Sequence, residues 1–285
     1  MSMQISTFDV LQDFSYSDKR VMIGLSGGIN SAAALIYLSE YVDDKPEEIY
    51  LYYSHLVEHS PDTKKFVLDL VEYAKKHFDN VVFEMSEHSM NQYCIDEFKG
   101  IPHPSITPCT KILKLNLMIE FMAVHKIDID IVGYVRSEYK RIQNQINRNV
   151  KNKDYLISHL SDEDCFFLTK KHLGWYPDIY DLKWNDPKIL KALTEYGKDL
   201  HKKQFNTIAK YHRKGYNNMS NTYRVFKHNN CLPCKNMHQW EIFMIRIFYP
   251  KYYDEAMKVA DQLNSYWGRK DEDISEENDC VICVI

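Results

Sequence analysis

The stretch from Val21 to Ser31, V-M-I-G-L-S-G-G-I-N-S, decides the fold of this chain. It begins with an apolar run suited to a buried strand, and a helix-forming stretch continues from Ser31 to Tyr41. Between the two, Gly27 and Gly28 permit backbone angles and close approaches that a side chain would block. Serine hydroxyls and the free N–H groups of the new helix also face this turn. The stretch therefore predicts a strand, a phosphate-binding loop and a helix.

The composition indicates a globular protein. Of the 285 residues, 45% are hydrophobic, which is enough for a sizeable core. No apolar stretch approaches the roughly 20 residues that span a membrane, and the N-terminus lacks the regions of a signal peptide. The formal charge of -4 argues against a protein that coats nucleic acid through bulk charge. We therefore expect a cytoplasmic protein with no membrane partner, and the sequence leaves its oligomeric state open.

The first half of the chain alternates strand and helix signals. Four short runs suit buried strands: Val21–Leu25, Ile49–Tyr53, Val81–Met85 and Ile129–Val135. The clearest helix begins at Ser60, a good N-cap, with Pro61 at the first helical position. Its apolar stripe comprises Phe66, Val67, Leu70, Val71 and Ala74. The pattern predicts an α/β fold, a parallel sheet with flanking helices, that binds ligands at the carboxyl ends of its strands.

The loop pattern S-G-G-x-x-S differs from two commoner phosphate loops, because neither G-x-x-x-x-G-K-S/T nor G-x-G-x-x-G occurs in the chain. It resembles the PP-loop of the ATP pyrophosphatase superfamily, usually S-G-G-x-D-S. This resemblance implies a Rossmann-like PP-loop fold, similar to the adenine nucleotide alpha hydrolases, that binds ATP or a related adenine nucleotide with Mg²⁺. The binding residues would be Ser26, Gly27, Gly28, Asn30 and Ser31. A glycine turn without a ligand is the alternative.

Four further segments between residues 20 and 265 narrow the resemblance. They are Y-Y-S-H-L-V-E-H-S-P-D-T (52–63), P-C-T-K-I-L-K (108–114), G-Y-V-R-S-E-Y-K-R (133–141) and a C-x-x-C, Trp, Tyr-Pro-x-x-Tyr region (230–253). They are similar to the branch with phosphoadenosine phosphosulfate (PAPS) reductases, the small subunit of ATP sulfurylase and DndC-type DNA sulfur-modification proteins. Glu58 and Thr63 match that branch, whereas its aspartate near Ser54 is lost.

Three cations in these segments suit phosphate chemistry. Lys114, Arg136 and Arg141 could neutralise the charge on a leaving pyrophosphate or bind a sulfate or phosphate of the substrate. The alternative is that the arginines only solvate the start of a helix. Asn30 departs from the family's aspartate, so one negative charge that helps to hold Mg²⁺ is absent. Nucleotide binding would survive this change more readily than catalysis.

The seven cysteines suit metal or redox chemistry better than a disulfide framework. Cys231 and Cys234 form a C-x-x-C pair that can place two thiolates on one metal. Cys109 lies in a segment expected to close over the same sheet edge, so the three could hold an iron–sulfur cluster or zinc. The fourth position would be open or filled by Cys94, His228 or His238. A reduced pair with structural zinc or no metal is the alternative.

The second half divides into an accessory region and a tail. We predict a PP-loop nucleotide-binding domain over residues 1–185, a helical region with the C-x-x-C pair over 186–270, and an acidic tail over 271–285. PAPS reductases carry a nucleophilic cysteine near the C-terminus, but the sequence around Cys280 does not match theirs. We therefore expect Cys280 and Cys283 to lie in an inert tail.

The helical region carries basic and aromatic residues together. Helix-forming residues run from Pro187 to Phe205, and a basic run follows with interleaved aromatics: Lys202, Lys203, Lys210, His212, Arg213 and Lys214 with Phe205, Tyr211 and Tyr216. Such residues can grip a nucleic-acid strand. The alternative is an exposed helix face with its aromatics in the core. The remaining large aromatics are expected in the core: Trp184, Trp240, Phe243, Phe248 and Tyr249.

The leading functional hypothesis is an enzyme that cleaves ATP between its α and β phosphates to adenylate a substrate. The reaction would serve sulfur transfer, with a nucleic acid as the candidate acceptor. One alternative is a PAPS or other sulfonucleotide reductase. Another is a catalytically degenerate protein that binds the nucleotide and acts through interactions, which Asn30 favours.

Overall fold

The apolar run before the loop forms the central strand of the fold. In the computed structural model, β1 (Val21–Leu25) pairs in parallel with β2 (Glu48–Leu56) on one side and β4 (Ile129–Ile131) on the other. The outer strands are β3 (Asn80–His88), parallel to β2, and β5 (Lys153–Asp154), parallel to β4. The order is therefore β3-β2-β1-β4-β5, and the predicted α/β class with a parallel sheet is confirmed.

The structure describes residues 14–103, 106, 108–148, 150, 152–200, 202–217, 224–229 and 231–268, without the side chains of 199 and 214–217. The acidic tail predicted over 271–285 lies outside these residues. One hydrophobic core runs from β1 to the last helix and includes side chains on both sides of residue 185, among them Ile23 and Phe243. The domain boundary proposed there stays a prediction.

Helices follow the strands and continue after the sheet. In the described ranges they are α1 (Ile29–Tyr41), α2 (Thr63–Ala74), α3 (Met90–Tyr93), α4 (Pro108–Thr110), α5 (Asn116–His125), α6 (Tyr139–Asn147), α7 (Asp162–Leu173), α8 (Pro187–Tyr196), α9 (Lys202–Asn217), α10 (Gln239–Phe248) and α11 (Pro250–Gln262). A π-helical turn, Lys111–Leu115, joins α4 to α5. Among these helices, none has the length and apolar composition needed to cross a bilayer.

Both faces of the sheet are covered, which explains why β1 is apolar throughout. Successive strand residues point to opposite faces. Val21 and Ile23 therefore join the main core with α1 and α2, whereas Met22 packs with Met118 and Phe121 of α5 on the other face. A strand buried on both sides is a continuous apolar run without polar alternation.

One strand prediction needs correction, and one strand was not predicted. The run Ile129–Val135 was predicted as one strand, but β4 ends at Ile131 because the backbone turns at Gly133, where the Tyr134 N–H donates to the Val132 carbonyl at 2.7 Å. The sequence also gave no sign of β5, which has two polar residues and lies at the sheet edge. Edge strands are often short and charged, which removes the apolar signal.

Two helix predictions are also corrected. Ser60 is not an N-cap, because α2 begins at Thr63 and the Ser60 hydroxyl lies 2.8 Å from that of Thr63. The stripe predicted for α2 is confirmed, since all five residues are buried in the main core. The helix-forming stretch from Pro187 to Phe205 is broken by a 3-10 turn, Gly197–Asp199, between α8 and α9. The aromatics expected in the core lie in it or pack against it.

The strand order fixes where a ligand would bind. The direction of winding reverses at β1, which lies between β2 and β4. Doubly wound sheets bind ligands outside the carboxyl ends of the strands at this switch point. Leu25 ends β1 there and leads directly into Ser26, so the loop predicted from the sequence stands at that position.

Candidate functional site

The two serines give the loop its shape. The Ser31 Oγ accepts a hydrogen bond from the Ser26 backbone N–H at 3.1 Å and donates to the Gly28 carbonyl at 3.1 Å. The Ser26 Oγ accepts from the Gly28 N–H at 3.1 Å and lies 3.0 Å from the Ser31 Oγ. The hydroxyls therefore close the turn on itself at the N-terminus of α1, where the helix dipole favours an anion.

The glycines allow close approach from two other elements. Gly27 has a φ of 75°, and a Cβ atom there would collide with Thr63 Cγ2 of α2. A Cβ atom at Gly133 would lie 2.9 Å from the carbonyl carbon and oxygen of Asn30, so the turn after β4 needs a glycine to touch the first turn of α1. Side chains at either position would push the loop away from its supports.

Asn229 holds the loop from the C-terminal half of the chain. Its buried side-chain Nδ2 donates to the Gly27 carbonyl at 2.9 Å and to Thr63 Oγ1 at 2.7 Å, and its Oδ1 accepts from Ser60 Oγ at 3.1 Å. Its backbone N–H donates to the hydroxyl of Tyr180 at 3.1 Å. Asn229 and Tyr180 were not foreseen, since each is far from the loop in sequence and belongs to no motif.

Tyr180 also bonds to the start of α1. The backbone N–H of Ile29 hydrogen-bonds to its hydroxyl, and the ring is buried in the main core. Burial raises the pKa of Tyr180 to about 12, so the hydroxyl stays protonated at neutral pH. One helix N–H that could face a phosphate is therefore already bonded to the protein.

Two cavities meet at Lys114. The loop cavity lies beside the turn and is lined by Gly24, Leu25, Ser26, Tyr52, Ser54, Lys114 and Met118. The cysteine cavity lies next to it and is lined by Leu56, Met90, Cys109, Thr110, Lys114, Cys231, Pro233, Cys234, Lys235 and Trp267. Lys114 lines both cavities.

A buried hydrogen-bonded chain orients Lys114. Its Nζ lies 3.4 Å from Nε2 of His59, whose Nδ1 lies 3.0 Å from the Tyr53 hydroxyl; that hydroxyl also lies 3.0 Å from Nδ1 of His55. Burial and the nearby Lys114 charge hold the pKa of His59 well below its usual value, and burial raises the pKa of Tyr53. Both rings are therefore neutral at pH 7.

Only one arrangement of protons satisfies the hydrogen bonds between Lys114, His59, Tyr53 and His55. A lysine ammonium can only donate, so Nε2 of His59 must accept and its single proton must lie on Nδ1. The Tyr53 oxygen then accepts from His59 and its hydroxyl donates to His55. His55 in turn carries its proton on Nε2, which lies 4.0 Å from the Glu87 carboxylate. Each tautomer is thus set by its neighbour.

Neither of the two predicted arginines lines the loop cavity or the cysteine cavity. Arg141 forms an ion pair with Glu138 and lies over the Tyr134 ring at 5.3 Å. Glu138 also accepts a hydrogen bond from the Asn30 side chain at 3.4 Å, so the amide and the guanidinium share one carboxylate. Arg136 is exposed and donates to the His159 carbonyl at 2.6 Å.

The structure brings the three predicted cysteines to one cavity. Lys235 is 2% exposed, and its Nζ donates to the His103 carbonyl at 3.1 Å and to the Ile106 carbonyl, which ties the C-x-x-C turn to the segment before Cys109. The Leu232 N–H donates to the Glu58 carbonyl at 2.7 Å. Glu58 itself accepts from the N–H groups of Met90 and Asn91, at the start of α3.

The thiols are of the right type for iron–sulfur or zinc, but their arrangement is not that of a formed metal centre. Within the described residues, no three His, Cys, Asp or Glu side chains are grouped so that they could hold one ion. Among the candidate fourth ligands, His228 lies near Glu138 and Arg141, where desolvation lowers its pKa, and His238 stacks on Trp240. The metal centre stays a prediction.

Comparison with known proteins adds distant similarities of fold. No protein-family model and no curated protein matches the chain. Among solved structures, U34-tRNA thiolase NcsA from Methanococcus maripaludis, with its 4Fe–4S cluster, is 14% identical over 73% of this chain and 75% of that chain, with a TM-score of 0.40.

Two NAD synthetases also show a distant similarity of fold to this chain. The NH3-dependent enzyme from Campylobacter jejuni, in complex with nitrate, is 16% identical over 71% of this chain and 89% of that chain, with a TM-score of 0.37. The glutamine-dependent enzyme from Acinetobacter baumannii, in complex with ADP, is 17% identical over 74% of this chain and 44% of that chain, with a TM-score of 0.33.

Similarities of this size concern the course of the chain and transfer no activity or ligand to it. The narrower branch inferred from the sequence is not confirmed.

We expect Gly27→Ala to abolish nucleotide binding, whereas Gly174→Ala leaves it unchanged. Both glycines have positive φ, so each alanine costs about 1–2 kcal/mol of stability from backbone strain. Nothing lies within 4 Å of a Cβ atom at Gly174, whereas overpacking against Thr63 adds roughly 1–3 kcal/mol at Gly27. Calorimetry with ATP and chemical unfolding measure the two effects. Equal ATP affinity in both variants would contradict the role given to the loop.

Tyr53→Phe is expected to release the tautomer of His55 while that of His59 stays fixed. The variant removes the hydroxyl that both histidines contact, and the free energy of unfolding should fall by about 1–3 kcal/mol because two buried nitrogens lose a partner. In ¹⁵N NMR of the imidazoles, His59 should keep its proton on Nδ1 because Lys114 still donates to Nε2, whereas His55 loses its donor and should populate both tautomers. Tyr52→Phe is the control, since that hydroxyl bonds to Ser86. A His59 proton on Nε2 in either protein, or a His55 spectrum unchanged by Tyr53→Phe, would exclude the deduced arrangement of protons.

The metal prediction is tested by protein purified without oxygen. If the cysteine cavity holds an iron–sulfur cluster or zinc, iron, zinc or acid-labile sulfide should be present and should fall in Cys234→Ala. Cys165→Ala is the control, because Cys165 is buried in the main core away from that cavity. Protein that lacks all three, or equal metal content in both variants, would end the hypothesis.

Proposed function

We propose that this chain binds ATP or a related adenine nucleotide with Mg²⁺ and cleaves it between the α and β phosphates to adenylate an acceptor. The observation that carries this proposal is the position of Lys114, whose side chain lines both the loop cavity and the cysteine cavity. A nucleotide in one cavity and an acceptor in the other would meet at this ammonium.

The loop cavity suits the nucleotide. Its phosphates would lie at the N-terminus of α1, where the loop and the helix dipole favour an anion. The adenosine would lie against Gly24, Tyr52 and Met118, which give an apolar surface with hydroxyls from Tyr52 and Ser54 at its edge. Pockets for small ligands commonly combine an apolar lining with a few polar groups.

The reaction would be an in-line displacement at the α phosphorus. An acceptor oxygen or nitrogen attacks this phosphorus, the bond to the bridging oxygen breaks, and pyrophosphate leaves with the electron pair. The Lys114 ammonium, held by His59, would stabilise the added negative charge. Where the acceptor is adenylated on oxygen, a hydrosulfide ion could then attack the carbon that carries this oxygen. The carbon–oxygen bond breaks and AMP leaves with the electron pair, which is the sulfur transfer expected from the sequence.

Magnesium would be bound mainly by the nucleotide phosphates and water, which is its usual coordination. At the loop, the protein offers the Asn30 amide and, hydrogen-bonded to it, the Glu138 carboxylate. Because Glu138 also pairs with Arg141, its charge is largely compensated. Weak metal binding is therefore the expected consequence of Asn30.

The main rival is a protein that binds the nucleotide without turning it over. The bond between Asn30 and Glu138 favours this alternative, because it gives the loop a structural contact where a metal ligand would act. The sulfonucleotide reductase alternative depends on the C-terminal cysteines, which lie outside the described residues.

Incubation with ATP labelled at the α phosphate distinguishes an adenylating enzyme from a protein that only binds the nucleotide. With RNA, DNA and small acceptors supplied in turn, an enzyme forms labelled AMP or an adenylated acceptor together with pyrophosphate. Lys114→Met should slow product formation by about 100-fold, the size of effect expected for one electrostatic donor. Lys111→Met, on the same helical turn but exposed, should have little effect. Saturable binding without products would establish the rival.

Asn30→Asp provides a second arm of the same assay. The variant places two carboxylates side by side, which repel each other without a cation and bind Mg²⁺ together. Product formation should rise roughly tenfold with Mg²⁺ if the new ligand contributes about 1.4 kcal/mol to the transition state. No gain at any Mg²⁺ concentration would show that the missing aspartate does not limit turnover.

A further inference from the structure

We propose that α8 and α9 form a nucleic-acid docking surface, the basic hairpin, which holds the phosphate backbone of the acceptor beside the nucleotide site. One part of this proposal, that the bound strand is the acceptor, rests on the proposed function. Its physical basis lies in the charge, the exposure and the anchoring of these two helices.

The charge of the basic hairpin is opposite to that of the chain. Residues 187–217 contain eight Lys and Arg against two Asp and Glu, in a protein whose formal charge is -4. The rest of the chain is therefore more acidic than the whole. A local cationic face on an acidic protein attracts polyanions to that face and repels them elsewhere.

The cations lie on the solvent side of the two helices. Ile189 and Leu193 of α8 and Ile208 of α9 are buried in the main core. The exposed cations on these helices and the turn between them are Lys188, Lys191, Lys198, Lys202, Lys203, Lys210 and Arg213. The apolar stripes thus fix the helices to the protein while their charged sides face solvent.

Two exposed aromatic rings stand among these charges. Tyr196 is 40% exposed at the end of α8, where the Arg246 guanidinium lies over its ring at 4.4 Å, and Phe205 is 37% exposed in the first half of α9. Aromatic faces stack on unpaired bases, and the neighbouring cations bind the phosphates of the same strand. This combination favours a nucleic acid over a lipid surface, which would need a larger apolar face.

The start of the hairpin lies close to the loop's supports. Lys183, before α8, forms an antiparallel bridge with Arg224, and the Val225 N–H donates to the Leu182 carbonyl at 2.8 Å. Near this bridge, Asn229 bonds to the Tyr180 hydroxyl and to the Gly27 carbonyl of the loop. A strand held on the hairpin would therefore be held by an element that begins a few residues after Tyr180, one of the loop's supports.

The test measures binding of fluorescent oligonucleotides without any need for catalysis. Labelled single-stranded RNA, single-stranded DNA and duplex DNA are titrated with the full chain, and their anisotropy is followed from about 50 to 200 mM salt. Vesicles that contain phosphatidylserine form a separate arm. The hairpin variant combines Lys202→Gln, Lys210→Gln and Arg213→Gln, and the control variant combines Lys65→Gln, Lys75→Gln and Lys258→Gln at exposed lysines elsewhere.

The two variants lose the same charge, so bulk electrostatics cannot separate them. The hairpin variant should bind oligonucleotides at least tenfold more weakly at low salt. The slope of the logarithm of its binding constant against the logarithm of the salt concentration should be smaller by about two to three, roughly one for each lost phosphate contact. The control variant should bind like the wild type. ATP affinity and thermal stability should be unchanged in both, which keeps this result separate from that of the turnover assay.

Three outcomes would overturn the proposal. They are no oligonucleotide binding by the wild type at low salt, an equal loss in the two variants, or a hairpin-dependent loss seen with vesicles alone. The last would assign the surface to membranes. If oligonucleotides bind through the hairpin but no acceptor is adenylated, the docking surface stands and the proposed reaction fails.

Discussion

The arrangement of the site depends on the buried side chain of Asn229. Its amide joins the Gly27 carbonyl, Thr63 and Ser60, and its backbone joins Tyr180. Each such bond contributes about 1 kcal/mol net, but a buried amide left without partners costs more than the bond is worth. The loop, the start of α2 and the returning C-terminal chain are therefore held together or lost together. This makes the C-terminal half a structural support of the predicted phosphate loop.

Lys114 shows how burial can position a charge without neutralising it. A carboxylate partner would hold the lysine but cancel its field, whereas the neutral His59 accepts a hydrogen bond and leaves the positive charge available. Burial of these polar groups costs free energy, and the Tyr53 hydroxyl offsets part of this cost by hydrogen-bonding to both histidines.

Sequence patterns predicted those parts of the molecule that follow from local rules. The bounds of β1 are correct because an apolar run stops at two glycines, and the stripe of α2 is correct because its period is helical. β5 and the early end of β4 were missed, since their geometry comes from pairing and from the turn at Gly133. Asn229, Tyr180 and the tautomers of His59 depend on contacts over long separations, which no spacing in the sequence encodes.

The charges beside the loop are balanced without a metal ion. Asn30, Glu138 and Arg141 form a continuous set in which one carboxylate is shared by an amide and a guanidinium. An aspartate at position 30 would add a second carboxylate and raise the electrostatic free energy of this set unless a cation bound beside it. With asparagine, no cation is needed, so the loop keeps its shape in the absence of Mg²⁺. Asn30 thus stabilises the predicted phosphate loop, whereas an aspartate there would make the loop depend on a cation.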